Sequence, residues 1–403
     1  MGMVFGVGRG RGLKGMAAAA ALLALSGTAA CDWVGDRVAE VSAGELRAAA
    51  TDPQVKAFYE NRQWRAAWST ESEAALIAAL QGAAAHGLDP SIFIRIIASA
   101  EGDAKRDAEL TLAALTYARA LATGAVAPEK VYSVYTLDRP EADVAAGLDQ
   151  ALTANDLDAW LNGLAPADEE YRALSTAYLA YRKGADQATA APIPAGGEIR
   201  VGTSDPRTPL VAQRLADGGY LQAAEAAAPD PVFTEAMSEA LKSLQRDARQ
   251  TADGVVREAT VQALNEISAH RARQLAVNLE RRRWLARNPP ATRIDVNTAA
   301  AQMVYLRDGR SAWNGRTIAG TRENATPQMG ETFKQLVVNP PWTVPTGIAE
   351  EEILPKGPGY LEANDMYVDD RGMVVQRPGP KAALGAVKFD MQNPHAIYLH
   401  DTP

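Results

Sequence analysis

The sequence has 403 residues, of which 47% are hydrophobic and 22% charged, with a formal net charge of −8. That length suggests two or three domains, and the apolar content is enough to build real cores, which excludes a disordered protein. So acidic a chain is a poor general binder of nucleic acid. Four histidines without an H-E-x-x-H spacing give no support to a zinc peptidase, and no metal or cofactor site is assigned.

Residues 1–30 have the three parts of an export signal: a basic stretch through Lys14, an apolar core over 16–25, and the small residues Ser26-Gly27-Thr28-Ala29-Ala30. The apolar core is too short to span a bilayer. Such a signal predicts a mature protein in the periplasm or cell envelope. Cys31 follows directly, where a bacterial lipoprotein carries its lipid-acceptor residue, and lipid there would attach the chain to a membrane. Thr28 stands where such signals usually carry Leu, so ordinary cleavage after Ala30 is the alternative. Cys31 is the one cysteine, which excludes a disulfide framework and a thiolate metal site within these residues.

Over 42–183 apolar residues recur at helical spacing, as in Leu76, Ile77 and Leu80, and again in Leu110, Leu112, Leu115, Tyr117 and Leu121. The aromatics Phe58, Tyr59, Trp64 and Trp68 read as core rather than as a glycan-stacking platform. His86-Gly87-Leu88-Asp89-Pro90 ends a helix, with His86 as a cap residue. Residues 184–200, rich in Gly, Ala and Pro, read as a linker.

A small helical domain is expected over 201–267, with helices near 211–219 and 233–246, a tight turn at Asp253-Gly254, and a last helix started by Thr260. A connecting helix over 268–288 carries Leu275 and Leu279 on one face. Its Arg281-Arg282-Arg283 reads as a solvated end complementing the helix dipole.

From 289 the period becomes strand-like, giving a multidomain α+β protein whose helical half precedes a mostly β domain over 289–403. Strands are predicted at 293–297, 303–306, 316–319 and 333–339, with a hairpin turn at Asp308-Gly309. Residues 346–372 are too broken for one long helix. Two further strands, 386–391 and 396–399, flank an Asn393-Pro394 turn, and the second delivers His400 and Asp401 to a strand end. A histidine so held can take a proton from a nucleophile, and His400 is the candidate general base. Asp401 would face the other way and cap the turn, and His395 reads as a turn residue. Arg377 and Lys381 flank Pro378-Gly379-Pro380 and supply cations.

The strings Asn339-Pro340-Pro341-Trp342-Thr343-Val344-Pro345, Ile353-Leu354-Pro355-Lys356, Pro358-Gly359-Tyr360-Leu361, Gln376-Arg377-Pro378-Gly379-Pro380-Lys381 and Asn393-Pro394-His395-Ala396-Ile397-Tyr398-Leu399-His400-Asp401-Thr402-Pro403 occur in order. Together they make 289–403 resemble the YkuD-type catalytic domain of the L,D-transpeptidases. The match is to the large YcbB-like (LdtD-like) type that cross-links bacterial peptidoglycan. Residues 42–183 resemble that family's scaffold domain, 201–267 its three-helix peptidoglycan-binding domain, and 346–372 the capping subdomain over its substrate groove.

The resemblance implies peptidoglycan stem peptides and glycan as partners, with Arg377, Trp342 and Tyr360 at the substrate. It also implies a reaction. A cysteine thiolate attacks the amide after the third, diaminopimelate residue of a tetrapeptide stem and expels D-Ala, and a neighbouring stem's amine resolves the thioester into a 3-3 cross-link. The family's nucleophile lies in a Ser-His-Gly-Cys motif downstream of the position matched by His400. These 403 residues stop before it, and Cys31 does not carry over, so the chain as given is expected to be inactive and its catalytic domain incomplete. The alternative is a non-catalytic peptidoglycan-binding or scaffold protein of the envelope. Three positions depart from the pattern: Leu244-Gln245 replaces Phe-Gln, no glycine precedes Asp253-Gly254, and Ala382 replaces an Asn after Lys381.

Overall fold

The computed structural model describes residues 41–186, 192–226, 230–321 and 324–401; the export signal and Cys31 lie outside them. The first part is helical. Helices α1 (Ala43–Ala49), α2 (Pro53–Asn61), α3 (Thr70–Gln81), α4 (Pro90–Ala98) and α5 (Asp103–Thr123) are followed by α6 (Val144–Ala154), α7 (Leu157–Leu164) and α8 (Glu169–Asp186). The helix starts are legible in the chain. Ser42 and Glu45 form a reciprocal capping box, and Asp52 and Asp89 cap helices that begin with proline. Gly87, in the left-handed region at φ 70°, closes the turn after α3, so the cap is Gly87 and not His86.

The core of this half is built from Leu76, Leu80, Leu110, Leu115, Leu121 and Leu148, all fully buried. Phe58, Tyr59 and Trp68 join it, as core packing requires, while half-buried Trp64 stacks on Tyr59 with Arg47 over its ring. Asp107 is the polar centre of this core. Its carboxylate accepts from Tyr59 Oη at 2.5 Å and from the backbone N–H groups of Ala67 and Trp68 at 3.0 and 3.1 Å. Burial raises the Asp107 carboxyl above the usual range, opposed by these same hydrogen bonds.

The small domain contains α9 (Thr208–Asp217), α10 (Ala223–Ala226), α11 (Glu235–Asp247) and α12 (Glu258–Asn265) around buried Val211, Leu215, Phe233, Leu241 and Leu264. The Asp253-Gly254 turn is present, with Gly254 at φ 73°. Helix α12 starts two residues before Thr260, which lies inside it and donates through Oγ1 to Gln250 Oε1 at 3.1 Å, so Thr260 is not the cap. Gln245, where the family pairs Phe with Gln, is buried and grips the turn through Gly254 N–H and Val255 C=O.

Helix α13 (Ile267–Trp284) was expected to be a connector with a solvated basic end. It is instead part of the scaffold: Ala272 and Leu279 enter the scaffold core, and the helix packs along α8. The arginine run is docked rather than solvated. Arg283 is fully buried, donating to His86 C=O at 2.6 Å, Tyr171 Oη at 2.9 Å and Glu280 at 2.5 Å. Arg282 pairs with Asp168 at 3.0 Å. Beyond the helix, Arg287 donates to Ala122 C=O at 2.6 Å, Leu164 C=O at 3.3 Å and Leu285 C=O at 3.1 Å, capping the ends of α5 and α7 together.

The C-terminal part is β-rich. Antiparallel strands β1 (Arg293–Asn297), β2 (Gln302–Arg307) and β3 (Arg310–Arg316) form one sheet. Asp308-Gly309 makes the hairpin turn, but the following strand runs 310–316 rather than 316–319, because pairing propagates directly from that turn. Strands β4 (Phe333–Val338), β5 (Trp342–Thr343), β6 (Met366–Val368), β7 (Val374–Gln376), β8 (Val387–Met391) and β9 (Leu399–His400) build two more sheets, ordered β4-β8-β9 and β5-β7-β6. Between β5 and β6 lie only short turns of helix, α14 (Thr346–Ile348) and α15 (Pro358–Ala363) among them.

The two parts touch through backbone. Tyr135 forms a parallel bridge with Gln328, with Thr136 N–H to Gln328 C=O at 2.8 Å and Gln328 N–H to Val134 C=O at 3.2 Å.

Candidate active site

His400 is exposed at the end of β9, opposite Lys388 on β8. The strand is shorter than the sequence suggested because Asn393 folds the preceding residues back. Its Oδ1 accepts from the N–H groups of His395 and Ile397, at 3.1 and 3.0 Å, and its Nδ2 donates to Ile397 C=O at 2.7 Å. Ala396 takes a positive φ of 53° within this loop, which ends the extended run. His395 is therefore a turn residue.

The imidazole of His400 is oriented by its own neighbour's backbone. Nδ1 lies 2.5 Å from Asp401 C=O, and a carbonyl can only accept, so Nδ1 carries the proton and Nε2 keeps its lone pair for a substrate or nucleophile. The Asp401 carboxylate faces away and accepts from Ala386 N–H at 3.2 Å, while Asp401 N–H donates to Val387 C=O at 2.9 Å. Gly385 makes this approach possible. It has φ +60°, and a Cβ there would stand 2.7 Å from Asp401 Cβ.

The other candidates gather on the β5-β7-β6 sheet and the short helices beside it. Trp342 and Tyr360 pack half-buried against a small core of Val344, Ala349, Ile353, Met366 and Val374. Lys356 Nζ lies 4.5 Å above the Tyr360 ring, and Arg377 lies 4.4 Å over the Tyr367 ring with its guanidinium exposed. Lys381 Nζ donates to Ala363 C=O at 2.8 Å. Among the described residues no hydrogen bond, ion pair or ring contact joins His400 to Arg377, Trp342 or Tyr360. The two groups are linked by the 377–386 segment that connects β7 to β8.

That segment is held by a residue the sequence analysis did not single out. Gln376, almost fully buried, donates to Asn364 C=O at 3.1 Å and Lys381 C=O at 2.9 Å, and accepts from Ala383 N–H at 2.8 Å. The family's Asn after Lys381 is replaced by a buried Ala382, and Gln376 supplies side-chain hydrogen bonds to the backbone on either side of it. A glutamine in a short strand of valines was the available signal. The described residues contain no cluster of three or more His, Cys, Asp or Glu able to hold a metal.

Comparison with known proteins gives three family matches in chain order. A model described as a scaffold domain matches residues 53–177, a putative peptidoglycan binding domain matches 204–264, and an L,D-transpeptidase catalytic domain matches 291–403. A Haemophilus influenzae protein described as a "Putative L,D-transpeptidase" is 36% identical over 132 residues, covering 27% of this chain and 27% of that relative. The chain thus carries a scaffold domain, a peptidoglycan-binding domain and an L,D-transpeptidase catalytic domain in succession, the architecture of the YcbB-like L,D-transpeptidases.

Proposed function

We propose that this protein serves cell wall biogenesis as a peptidoglycan L,D-transpeptidase that forms 3-3 cross-links between stem peptides through a cysteine acyl-enzyme. The observation that carries the reading is the His400 tautomer, fixed by Asp401 C=O so that Nε2 is free to take a thiol proton, within a stretch matching the catalytic domain. His400 deprotonates the nucleophile and then returns the proton to the departing D-Ala amine. Arg377, exposed over Tyr367, meets a stem carboxylate, while Trp342 and Tyr360 form the apolar wall of the groove.

The thiol this chemistry needs is not supplied near His400 within these 403 residues. We assign it to a Ser-His-Gly-Cys segment following them, and place the working protein in the envelope, exported by residues 1–30. Cys31 as a lipid anchor belongs to the same reading.

The test compares the 403-residue chain with one extended by the codons that follow residue 403. Both are incubated with tetrapeptide stems, and D-Ala release and thioester mass are followed. Release by the extended chain alone, abolished by His400→Gln, is the expected result. An in-frame stop after Pro403, with stem binding and no turnover, would replace the reading by a non-catalytic wall-binding protein.

A further inference from the structure

A cleft of about 330 Å³ opens where the small domain meets α13. Tyr220, Arg249 and Gln250 come from the small domain, and Glu266, His270 and Arg273 from the junction and the helix. The matched peptidoglycan-binding segment ends at 264, so half of this cleft lies outside it.

Its walls are built rather than incidental. The Gln250 side chain bridges Ala259 C=O and the Thr260 hydroxyl, at 2.8 and 3.1 Å, fixing the floor. Tyr220 Oη donates to Asp247 at 2.6 Å, and Arg271 lies 4.6 Å over the Tyr220 ring and 3.6 Å from Asp247. The one acidic group on that wall is therefore already neutralised. Arg249 is held at φ 57° by the hydrogen-bonded end of α11, with Arg249 N–H on Arg246 C=O and Gln250 N–H on Gln245 C=O. Among the described residues, the Arg249 and Arg273 side chains have no hydrogen-bond or ion-pair partner.

Two unpartnered guanidinium groups around one cleft, with a glutamine floor and an aromatic wall, are an arrangement for a carboxylate. Glu266 on the rim disfavours a dianion such as phosphate and accommodates an ammonium, so the fitting ligand carries both charges. We propose that this cleft is a second peptide-binding site, in which Arg249 and Arg273 hold the carboxylate of a wall stem peptide and Glu266 holds its amine. The identity of the peptide rests on the function proposed above; the carboxylate chemistry does not. A stem bound here contacts both the small domain and α13, whose far end carries the buried Arg283.

The four histidines provide the test, because His270 lines this cleft and His400 marks the catalytic strand. Ring proton resonances of the full chain are followed by NMR while a soluble muramyl tetrapeptide is added. Saturable movement of the His270 signals is expected. Arg249→Gln or Arg273→Gln should weaken it roughly tenfold, with the helical circular dichroism unchanged, and amidation of the peptide carboxylates should weaken it similarly. Movement of His400 without His270 would overturn the second site and leave the catalytic reading standing. Movement of His270 alone would support the site while counting against stem binding at His400. Equal response to the amidated peptide, displacement by inorganic phosphate, or an unchanged titration in both variants would also overturn it.

Discussion

The helical half places two charged side chains, Asp107 and Arg283, at 6% and 0% exposure, and surrounds each with partners from distant parts of the chain. The β half leaves Leu336 and Val338 of β4 at 56% and 64% exposure, and its candidate base stands in solvent. The two regions thus fix position by different means. In the scaffold, side-chain hydrogen bonds lock one helix to another. Around His400, backbone turns and register do the work, through Asn393, Gly385 and the Asp401 carbonyl. Side-chain substitutions should therefore be costly in the first region, and backbone substitutions in the second.

The largest effect tests the first half of that contrast. Arg283→Met removes a buried cation and leaves Tyr171, the His86 carbonyl and Glu280 without it, and should cost the scaffold about 3–5 kcal/mol in urea unfolding. A loss under about 1 kcal/mol would show that apolar packing alone holds the helices.

The next effect is a pH dependence confined to the helical half. Burial first, and then the neighbouring Arg283 charge, lower the His86 imidazole to about 4. The folded state thus favours neutral His86, while the unfolded chain titrates near the ordinary value of about 6.5. The associated stability is fully present above that ordinary value. It is lost as pH falls toward 4, amounting to about 3 kcal/mol by the bottom of that window. Urea midpoints between pH 7 and 4 should follow this slope, and His86→Gln should flatten it.

Gly385→Ala sharpens the second half of the contrast. The new methyl meets Asp401 at a positive φ, so a loss of about 1–3 kcal/mol is expected, together with displacement of the His400 ring resonances. Unchanged His400 signals would mean that Asp401 does not depend on that close approach. The smallest effect is Leu336→Thr on the exposed face of β4, expected within about 0.5 kcal/mol. A loss several times larger, measured on the same chain, would mean that this face is covered in solution.

Much of the fold was legible from periodicity and punctuation. Helix spacing, proline-led starts and the Asp308-Gly309 turn are local signals, and the structure follows them. What could not be read was anything that depends on a distant partner. Arg283 looks like a solvated helix end because its acceptors, His86 and Tyr171, lie more than a hundred positions away. The 396–399 run looks like a strand because nothing in its apolar pattern announces the Asn393 side chain that folds it. His400 was found because it ends a strand within a recognisable run of motifs. The orienting atom, a backbone carbonyl, has no residue type and leaves no trace in a sequence. The cleft beside His270 was missed for a related reason, since its two walls belong to segments that read as separate units.

The Tyr135–Gln328 bridge bears on how such proteins can be recombined. Leu137 of the same loop lies 3.5 Å from where a Cβ on Gly330 would stand, and Gln328 also donates through Nε2 to Thr298 Oγ1 at 3.1 Å. The catalytic domain therefore takes part of its edge from a loop encoded some two hundred residues earlier. A swap of residues 291–403 between homologues would separate backbone partners that fit one another. The loop spanning 131–139 and the segment spanning 326–330 form one heritable unit, and a successful chimera has to carry both.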